Sequence, residues 1–318
     1  MTDEPRSVTI IAPFLNEEEN LPLLYTRIAD AMKDQPEAWE LILVDDGSTD
    51  GSTEWVRTKS QEDRRVRLIE LARDFGHQVA ITAGLDHALH DAAIVMDADL
   101  QDPPEVIPQL LEKWREGQDV VYAVRTDRSG ETRLKKWSAA LFYRLFSRLT
   151  KINMPLDSGD FRLLDQKVIQ ALGKMREQHR FIRAMTCWTG FRQVAVPYER
   201  ASRHSGESKY KTFHLLKLAM DGLASFSGEP LRWFVNLGFF IAFLGVFYFI
   251  CIVLNWLLGL GYYPRGWVTL AGLVLLLGGL QLGAIGVVGL YISRIFEETK
   301  KRPLYFVASD TGPAEPRR

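Results

Sequence analysis

Three acidic segments in the first third of the chain each follow a short apolar run. They are 13–17 (Pro-Phe-Leu-Asn-Glu), 45–51 (Asp-Asp-Gly-Ser-Thr-Asp-Gly) and 97–103 (Asp-Ala-Asp-Leu-Gln-Asp-Pro). In an open α/β sheet, ligands bind beyond the carboxyl ends of the strands, where these segments are expected to meet. Because clustered carboxylates repel one another, the pattern predicts that a cation lies among them.

Asp97 and Asp99 form the sharpest of these patterns, since they end the apolar run 94–96 and so stand at a predicted strand tip. Mg²⁺ prefers oxygen ligands and binds through one or two carboxylates plus phosphate oxygens. Asp99 and Gln101 are expected to reach one metal ion, with Asp97 facing the nucleoside of a bound nucleotide. The alternative is a turn with a helix cap, because residues 102–105 (Asp-Pro-Pro-Glu) have the composition of a helix start. The other two acidic loops favour the metal.

The first two acidic segments offer hydrogen-bond acceptors for a nucleoside. Asp45 and Asp46 are expected to accept from a nucleobase or from ribose hydroxyls. Asn16 either caps the following helix or lines the nucleoside pocket together with Glu17, and the pocket is favoured. Asp50 is left out of the site because it is equally suited to cap a helix that begins at residue 52.

His77 follows Phe75-Gly76 at a predicted strand–helix junction, where contact with a nucleotide and a structural cap remain open alternatives. Other chemistries lack their motifs. The chain has no Gly-x-Ser-x-Gly elbow for a nucleophilic serine, no phosphate loop ending in Gly-Lys and no glycine fingerprint for a dinucleotide. The sequence therefore points away from hydrolases, nucleoside triphosphatases and dinucleotide-dependent enzymes.

Alternating β-rich and helical patterns must position these loops. Strands are expected at 8–13, 39–44, 66–71, 92–96 and 119–124, and helices at 17–33, 52–62 and 78–89. This alternation predicts an α/β, Rossmann-like domain with a parallel sheet and crossover helices. The polar tail after Phe306 is expected to be disordered.

The C-terminal third has a different composition. Segments 233–263 and 266–293 contain no Asp, Glu, Lys or Arg, and each exceeds the roughly 20 apolar residues that cross a bilayer. Basic residues flank the pair at 232 and at 294–302, so the positive-inside bias places both termini in the cytoplasm. The expected organisation is a cytoplasmic catalytic domain at 1–230, a two-helix transmembrane hairpin at 231–297 and a cytoplasmic tail at 298–318, at the plasma membrane.

Two amphipathic segments, 133–151 and 210–227, are expected to lie at the membrane interface, the alternative being helices packed on the domain core. The two cysteines, one of them in a predicted span, are not expected to pair, which fits a reducing cytosol. A net charge of −1 provides no global basic field for nucleic acid.

Four motifs in order, 13–17, 44–50, 97–104 and 206–210 (Gly-Glu-Ser-Lys-Tyr), make residues 6–300 resemble family 2 glycosyltransferases. The resemblance is to the polyprenyl-phosphate branch, which includes bacterial bactoprenol glucosyltransferases and dolichyl-phosphate mannose synthases. It implies a GT-A nucleotide-sugar-binding domain, a UDP- or GDP-sugar donor, Mg²⁺ or Mn²⁺, and inversion at the anomeric carbon. It also implies a polyprenyl phosphate acceptor such as undecaprenyl phosphate, and a homo-oligomer such as a tetramer.

The resemblance assigns roles residue by residue. A nucleotide-sugar pocket would include Pro13, Asn16, Glu17, Asp45, Asp46, His77 and Asp97, and the diphosphate–metal group Asp97, Asp99 and Gln101. The catalytic set would be Asp99, Arg125, Asp157, Arg203 and Lys209, and the acceptor-binding set Asp160, Arg162 and Ser208. Asp160 departs from the Ser-Gly-Phe pattern of the mannose synthases, which favours a glucosyltransferase and UDP-glucose.

A phosphate acceptor is already ionised near neutral pH, so the expected reaction needs no strong general base. Asp157 is expected to orient the acceptor or to support the developing oxocarbenium charge, with a proton-accepting role left open. Two other readings remain. A processive polysaccharide synthase would need more membrane helices and a Gln-x-x-Arg-Trp motif, and a non-catalytic membrane scaffold would not need the intact acidic motifs.

Overall fold

A computed structural model describes residues 6–125, 158–198 and 266–312, together with scattered positions between 235 and 258. The chain divides into two compact units, of which the first contains residues 1–215 and 303–318 and the second residues 216–302. Both predicted interface helices, 133–151 and 210–227, lie outside the described residues, as do Asp157, Arg203, Ser208 and Lys209.

The described part of the first unit contains an eight-stranded sheet in the order β7-β5-β6-β4-β1-β2-β3-β8. Its strands are β1 Ser7–Phe14, β2 Ala38–Asp45, β3 Val66–Leu71, β4 Ala92–Val95, β5 Val120–Arg125, β6 Ser158–Asp165, β7 Gln193–Tyr198 and β8 Val307–Asp310. Its helices are α1 Leu21–Met32, α2 Ser52–Glu62, α3 His77–His87, α4 Ile107–Arg115, α5 Gln166–Lys174 and α6 Ile182–Trp188, with a 3₁₀ turn at Pro104–Val106.

Helices cover both faces of the central strands, which is why those strands read as continuous apolar runs. All four residues of β4 are buried, as are the last seven of β1. Helix α1 buries a stripe of residues at helical spacing, Leu21, Leu24, Ile28 and Met32. On the other face α3 approaches β1 so closely that a Cβ at Gly84 would lie 2.3 Å from a side-chain methyl carbon of Ile11.

The sheet is mixed, so the prediction of a parallel sheet is wrong at β6 and β8, while β5 and β7 pair in parallel. Strands β1, β2, β3 and β4 are parallel neighbours, but β6 lies antiparallel between β4 and β5. Strand β8 is antiparallel to β3. The pairing of β6 joins residues about 70 positions from β4 and about 40 from β5, and local periodicity carries no information about such distant partners.

The prediction that the tail after Phe306 is disordered is wrong for residues 307–312. Strand β8 extends the sheet edge, and Asp310 accepts from Nε and Nη2 of the buried Arg67 at 2.8 and 2.7 Å. Thr311 exchanges two further hydrogen bonds with the backbone of Leu68. Within 307–312, the polar side chains of Asp310 and Thr311 thus bind partners at the sheet edge.

Arg67→Met is expected to lower the free energy of unfolding of the first unit by about 2 kcal/mol, since it removes a bidentate charge pair and leaves Asp310 unpaired. Urea unfolding followed by circular dichroism measures this loss. Arg57→Met is the control, because Arg57 pairs with Glu54 and Glu70 at a more exposed position and is expected to change stability by less than about 1 kcal/mol. Equal losses in the two variants would contradict the role assigned to the Arg67–Asp310 pair.

The second unit contains helix α7, Trp267–Thr299. Its 33 residues span about 50 Å at 1.5 Å per residue. Within it, Leu277–Thr299 is long and apolar enough to cross a bilayer by length and composition, and it is the one such helix among the described residues. The second predicted span, 266–293, thus falls almost wholly within a helix. Much of the first, 233–263, lies outside the described residues, and the hairpin remains a prediction.

Candidate active site

The loops after β1 and β2 are joined by hydrogen bonds, because their parallel strands end side by side with Phe14 opposite Asp45. Asn16 Oδ1 accepts from the backbone N–H of Thr49 at 2.8 Å, and the backbone N–H of Asn16 donates to Ser48 Oγ at 3.0 Å. Asn16 has a φ of 57°, a left-handed conformation in which asparagine is enriched. It therefore caps the neighbouring loop, and the alternative that it caps α1 is wrong.

Glu17 and Asp50 complete this pair of loops. The Glu17 amide donates to Ser52 Oγ at 2.9 Å, while Glu17 Oε2 accepts from Asn20 at 2.6 Å. Asp50 Oδ1 accepts from the Ser52 amide at 3.0 Å at the start of α2. Asp50 thus accepts from the first backbone amide of α2, although the N-cap position of that helix is Gly51, and Glu17 retains a half-buried side chain at the loop surface.

Asp45 and Asp46 are buried and hold backbone groups of the site. Asp45 Oδ1 accepts from the Ser48 amide at 2.8 Å, and its other oxygen accepts from the Thr53 hydroxyl. Asp46 accepts from the amides of Phe75 at 2.8 Å and Gly76 at 3.0 Å, which fixes the loop leading into α3. Burial raises the pKa of Asp46 to about 6. These bonds give both carboxylates a supporting role, and their contact with a nucleoside stays a prediction.

Gly47 allows the β2 and β3 loops to approach each other. Its φ is 88°, and an added Cβ would lie 2.8 Å from the Asp74 amide nitrogen. A side chain here would meet backbone, which cannot move aside cheaply, and the left-handed conformation favours glycine. The Asp-Asp-Gly segment is therefore shaped by packing between loops as much as by ligand chemistry.

The loop after β4 carries the predicted metal ligands. Asp99 Oδ1 accepts from the backbone N–H of Gln101 at 3.1 Å, and Leu100 between them has a φ of 61°. Asp102 is buried and accepts from the Tyr198 hydroxyl at 2.7 Å, tying the loop to β7. In the described residues no side chain caps the 3₁₀ turn that begins at Pro104. A helical turn does begin where residues 102–105 indicated and Asp99 closes a turn before it, but the N-cap position is Pro103, so Asp102 is not the cap.

His77, Asp97 and Asp160 meet at the carboxyl ends of the central strands, with potential ligand atoms within 4.8 Å of one another. His77 Nε2 lies 3.3 Å from Asp97 Oδ1 and 3.4 Å from Asp160 Oδ2. Burial alone would lower the pKa of His77, but its two carboxylate neighbours raise that pKa well above its usual value. Burial alone would raise the pKa of Asp160, but Arg183 and His77 hold it well below its usual range. The His77 ring thus lies in contact with two carboxylates.

The strand tip also fits a divalent cation. Asp97 Oδ1 is buried and lies 3.3 Å from His77 Nε2 without the alignment of a hydrogen bond, so this oxygen can still act as an acceptor or ligand atom. Asp97 and Asp99 are both partly exposed and supply the oxygen donors that hard cations prefer. Asp160 is less suited, because its oxygens accept two hydrogen bonds from Arg183. The residues present therefore fit a metal ion held from the Asp97–Asp99 side.

The remaining predicted residues occupy varied positions. Pro13 is buried in β1 opposite Val44, and Arg125 is the last residue of β5. Arg162 is buried in β6, where it donates to the Gly159 carbonyl at 2.9 Å and burial lowers its pKa to about 10. The buried positions of Asp160 and Arg162 suit support of the site, and their contact with an acceptor stays a prediction.

Two residues of the cluster were missed from the sequence, Arg183 and Gln78. Arg183 stands in the apolar run 181–185, and Gln78 follows His77 at the start of α3. A lone basic residue in an otherwise apolar helix is a signal for a buried charge partner. The partner itself, Asp160, follows only from the sheet pairing.

A doubly wound sheet with polar loops at its strand tips defines a nucleotide-binding class of fold. Residues 9–173 match the family described as Glycosyl transferase family 2, and the chain belongs to this family. It is a glycosyltransferase that uses a nucleotide sugar, built on the GT-A Rossmann-like α/β fold with a mixed sheet.

Its relatives match over nearly their whole length. The uncharacterized glycosyltransferase YkcC of Bacillus subtilis is 46% identical over 96% of this chain and 94% of its own. The bactoprenol glucosyl transferase of Shigella phage SfV is 37% identical over 95% of this chain and 98% of its own. Among solved structures, glucosyl-3-phosphoglycerate synthase from Mycobacterium tuberculosis, in complex with Mn²⁺, uridine diphosphate and phosphoglyceric acid, has a TM-score of 0.48. It is 18% identical, covering 69% of this chain and 76% of its own.

Proposed function

We propose that this glycosyltransferase moves glucose from UDP-glucose, with inversion, onto a polyprenyl phosphate such as undecaprenyl phosphate. The observation that carries the proposal is the similarity to bactoprenol glucosyl transferases across almost the entire length of both chains. That similarity extends through the apolar C-terminal region, which an enzyme with a fully soluble acceptor would not need. Asp160, which departs from the Ser-Gly-Phe pattern of the mannose synthases, also favours a glucosyltransferase.

On the donor side, Asp97, Asp99 and Gln101 would hold Mg²⁺ or Mn²⁺, which when bound neutralises charge on the departing nucleoside diphosphate. Asp45 and Asp46 maintain the loops around the nucleoside pocket, where Pro13, Asn16, Glu17 and His77 are proposed to contribute. These groups bind and orient the donor. The hydrogen bonds between the loops support this role, because they hold the pocket in place before a ligand arrives.

On the acceptor side, the lipid phosphate is already an anion, so the chain must bring two anions together. Arg125, Arg203 and Lys209 are proposed to offset that repulsion. Asp157 is proposed to orient the phosphate for in-line attack, and Ser208 is proposed to bind the acceptor. The buried pair Asp160 and Arg162 would support this side of the site from within the sheet.

The proposed enzyme works at the cytoplasmic face of the plasma membrane. Helix α7 and the predicted first span would form its anchor, with the segments 133–151 and 210–227 as interface helices. A homo-oligomer belongs to the same proposal, because glycines such as Gly278, Gly279 and Gly286 on α7 permit close helix packing. A membrane anchor would keep the catalytic domain close to an acceptor that is embedded in the bilayer.

The test is a transfer assay with the full chain in detergent, a short polyprenyl phosphate and a panel of UDP- and GDP-sugars. Mass spectrometry of the lipid is expected to detect a hexose product from UDP-glucose with Mg²⁺ or Mn²⁺ and none after chelation with EDTA. Product from GDP-mannose alone would contradict the donor assignment. Transfer that survives EDTA would contradict the metal, and the absence of lipid product from every donor would contradict the acceptor.

A further inference from the structure

Two carboxylates face each other across the donor and acceptor sides of the site. Strands β4 and β6 are antiparallel with Val95 opposite Arg162, and continuing that register by two residues places Asp97 opposite Asp160. Like charges directly opposite in a sheet destabilise it. His77 Nε2 lies between them, 3.3 Å from one carboxylate and 3.4 Å from the other. The imidazole therefore joins the tip of β4 to the start of β6.

Side chains from two helices, α3 and α6, hold the Asp160 carboxylate in place. Arg183 on α6 donates from Nε at 2.7 Å and from Nη2 at 3.0 Å, a bidentate pair. Gln78 on α3 donates to the same carboxylate at 3.2 Å, and its own oxygen accepts from the Ile182 amide at 2.9 Å. The start of α6 and the start of α3, which carries His77, are thus held on one buried carboxylate.

We infer that Arg183 is a positioning residue for glycosyl transfer, acting through Asp160 and His77 on the orientation of Asp97. This inference rests on the proposed donor-side role of Asp97. Arg183 holds Asp160 by two hydrogen bonds, and His77 Nε2 contacts Asp160 Oδ2 on one side and Asp97 Oδ1 on the other. This contact restrains the Asp97 carboxylate, which is proposed to serve the donor diphosphate.

The same chain of contacts links the two substrates. Asp160 follows the proposed acceptor residue Asp157 by three positions in the sequence, while Asp97 stands on the donor side. A shift of the Asp160 carboxylate would therefore displace groups on both the donor side and the acceptor side. Misplacement of a reacting group by about 1 Å can lower the reaction rate by on the order of 100-fold. Because Asp160 is buried and supports both sides without an open face for the acceptor, the main effect expected from Arg183 is on turnover.

The opposing reading is that Arg183 only neutralises a buried charge, and a matched pair elsewhere separates the two readings. Arg115 binds Glu37 in the same bidentate way, from Nε at 2.8 Å and from Nη2 at 2.7 Å. The side chains of Glu37 and Asp160 are 3% and 6% exposed. Glu37 precedes β2, at the opposite end of the strands from the site.

The experiment compares Arg183→Gln with Arg115→Gln, using the donor that the wild-type chain turns over and a short polyprenyl phosphate. Arg183→Gln is expected to lower kcat on the order of 100-fold with little change in the KM for acceptor. Arg115→Gln is expected to keep kcat while its unfolding midpoint falls comparably. Binding of the donor's nucleoside diphosphate with Mn²⁺, followed by calorimetry, is expected to weaken in Arg183→Gln alone.

Two further variants keep the inference testable if Arg183→Gln does not fold. Arg183→Lys retains the charge without the planar fork, so kcat is expected to fall by about tenfold. Asp160→Asn combined with Arg183→Gln is expected to be no slower than the slower single variant, because both changes break one contact chain. Wild-type kcat in Arg183→Lys, or losses that simply multiply in the double variant, would overturn the inference. A wild-type chain inactive with every donor would instead count against the proposed function.

Discussion

Asp99→Asn is expected to reduce sugar transfer by on the order of 100- to 1000-fold and to abolish its stimulation by Mg²⁺ or Mn²⁺. The substitution separates the two roles that Asp99 can have. An asparagine oxygen can still accept the hydrogen bond from the backbone N–H of Gln101, so the turn after β4 is expected to be retained. The negative charge that would hold a cation is lost. Initial rates measured against metal concentration distinguish the two roles.

Asp50→Asn is the control for that measurement. Asp50 lies in a neighbouring acidic loop and accepts from the Ser52 amide at the start of α2, a hydrogen bond that an asparagine oxygen can also accept. The control is expected to keep both the rate and the metal dependence of the wild-type chain. Near-normal turnover in Asp99→Asn with unchanged metal dependence would show that the strand tip does not hold the ion.

Replacing residues 233–302 with a flexible Gly/Ser linker, while keeping 303–318, is expected to preserve nucleotide binding. Transfer to a long-chain polyprenyl phosphate in vesicles is expected to fall by on the order of 100-fold relative to transfer to a short, soluble acceptor. The reason is that an anchor raises the effective concentration of the domain at the bilayer. The ratio of the two rates, measured on the same preparation, is the readout.

The design of this variant depends on strand β8. Truncation after residue 232 would remove β8 together with the Asp310 partner of the buried Arg67, so a loss of activity could come from damage to the sheet. That truncation serves as a comparator and is expected to unfold at lower urea concentration than the linker variant. If the linker variant used vesicle-embedded acceptor as well as the wild-type chain, the anchoring role would be refuted.

Local patterns in the sequence were sufficient for the central strands and their loops. Helix α2 and strand β3 have the predicted limits, because their apolar spacing and turn residues are local. The acidic loops after β1, β2 and β4 lie at one edge of the sheet because these strands are parallel neighbours. Helix α1 begins later than expected, at Leu21, since residues 17–20 form a turn on the Glu17 carbonyl.

What the sequence alone determined is the family, the polar strand tips and the apolar C-terminal region, because each depends on residues close together in the chain. Tertiary structure alone decided that Asp160 faces Asp97, that Arg183 and His77 lie on either side of Asp160, and that the tail completes the sheet as β8. These contacts join residues far apart in sequence. Their formation depends on sheet register and packing, which residue spacing does not encode.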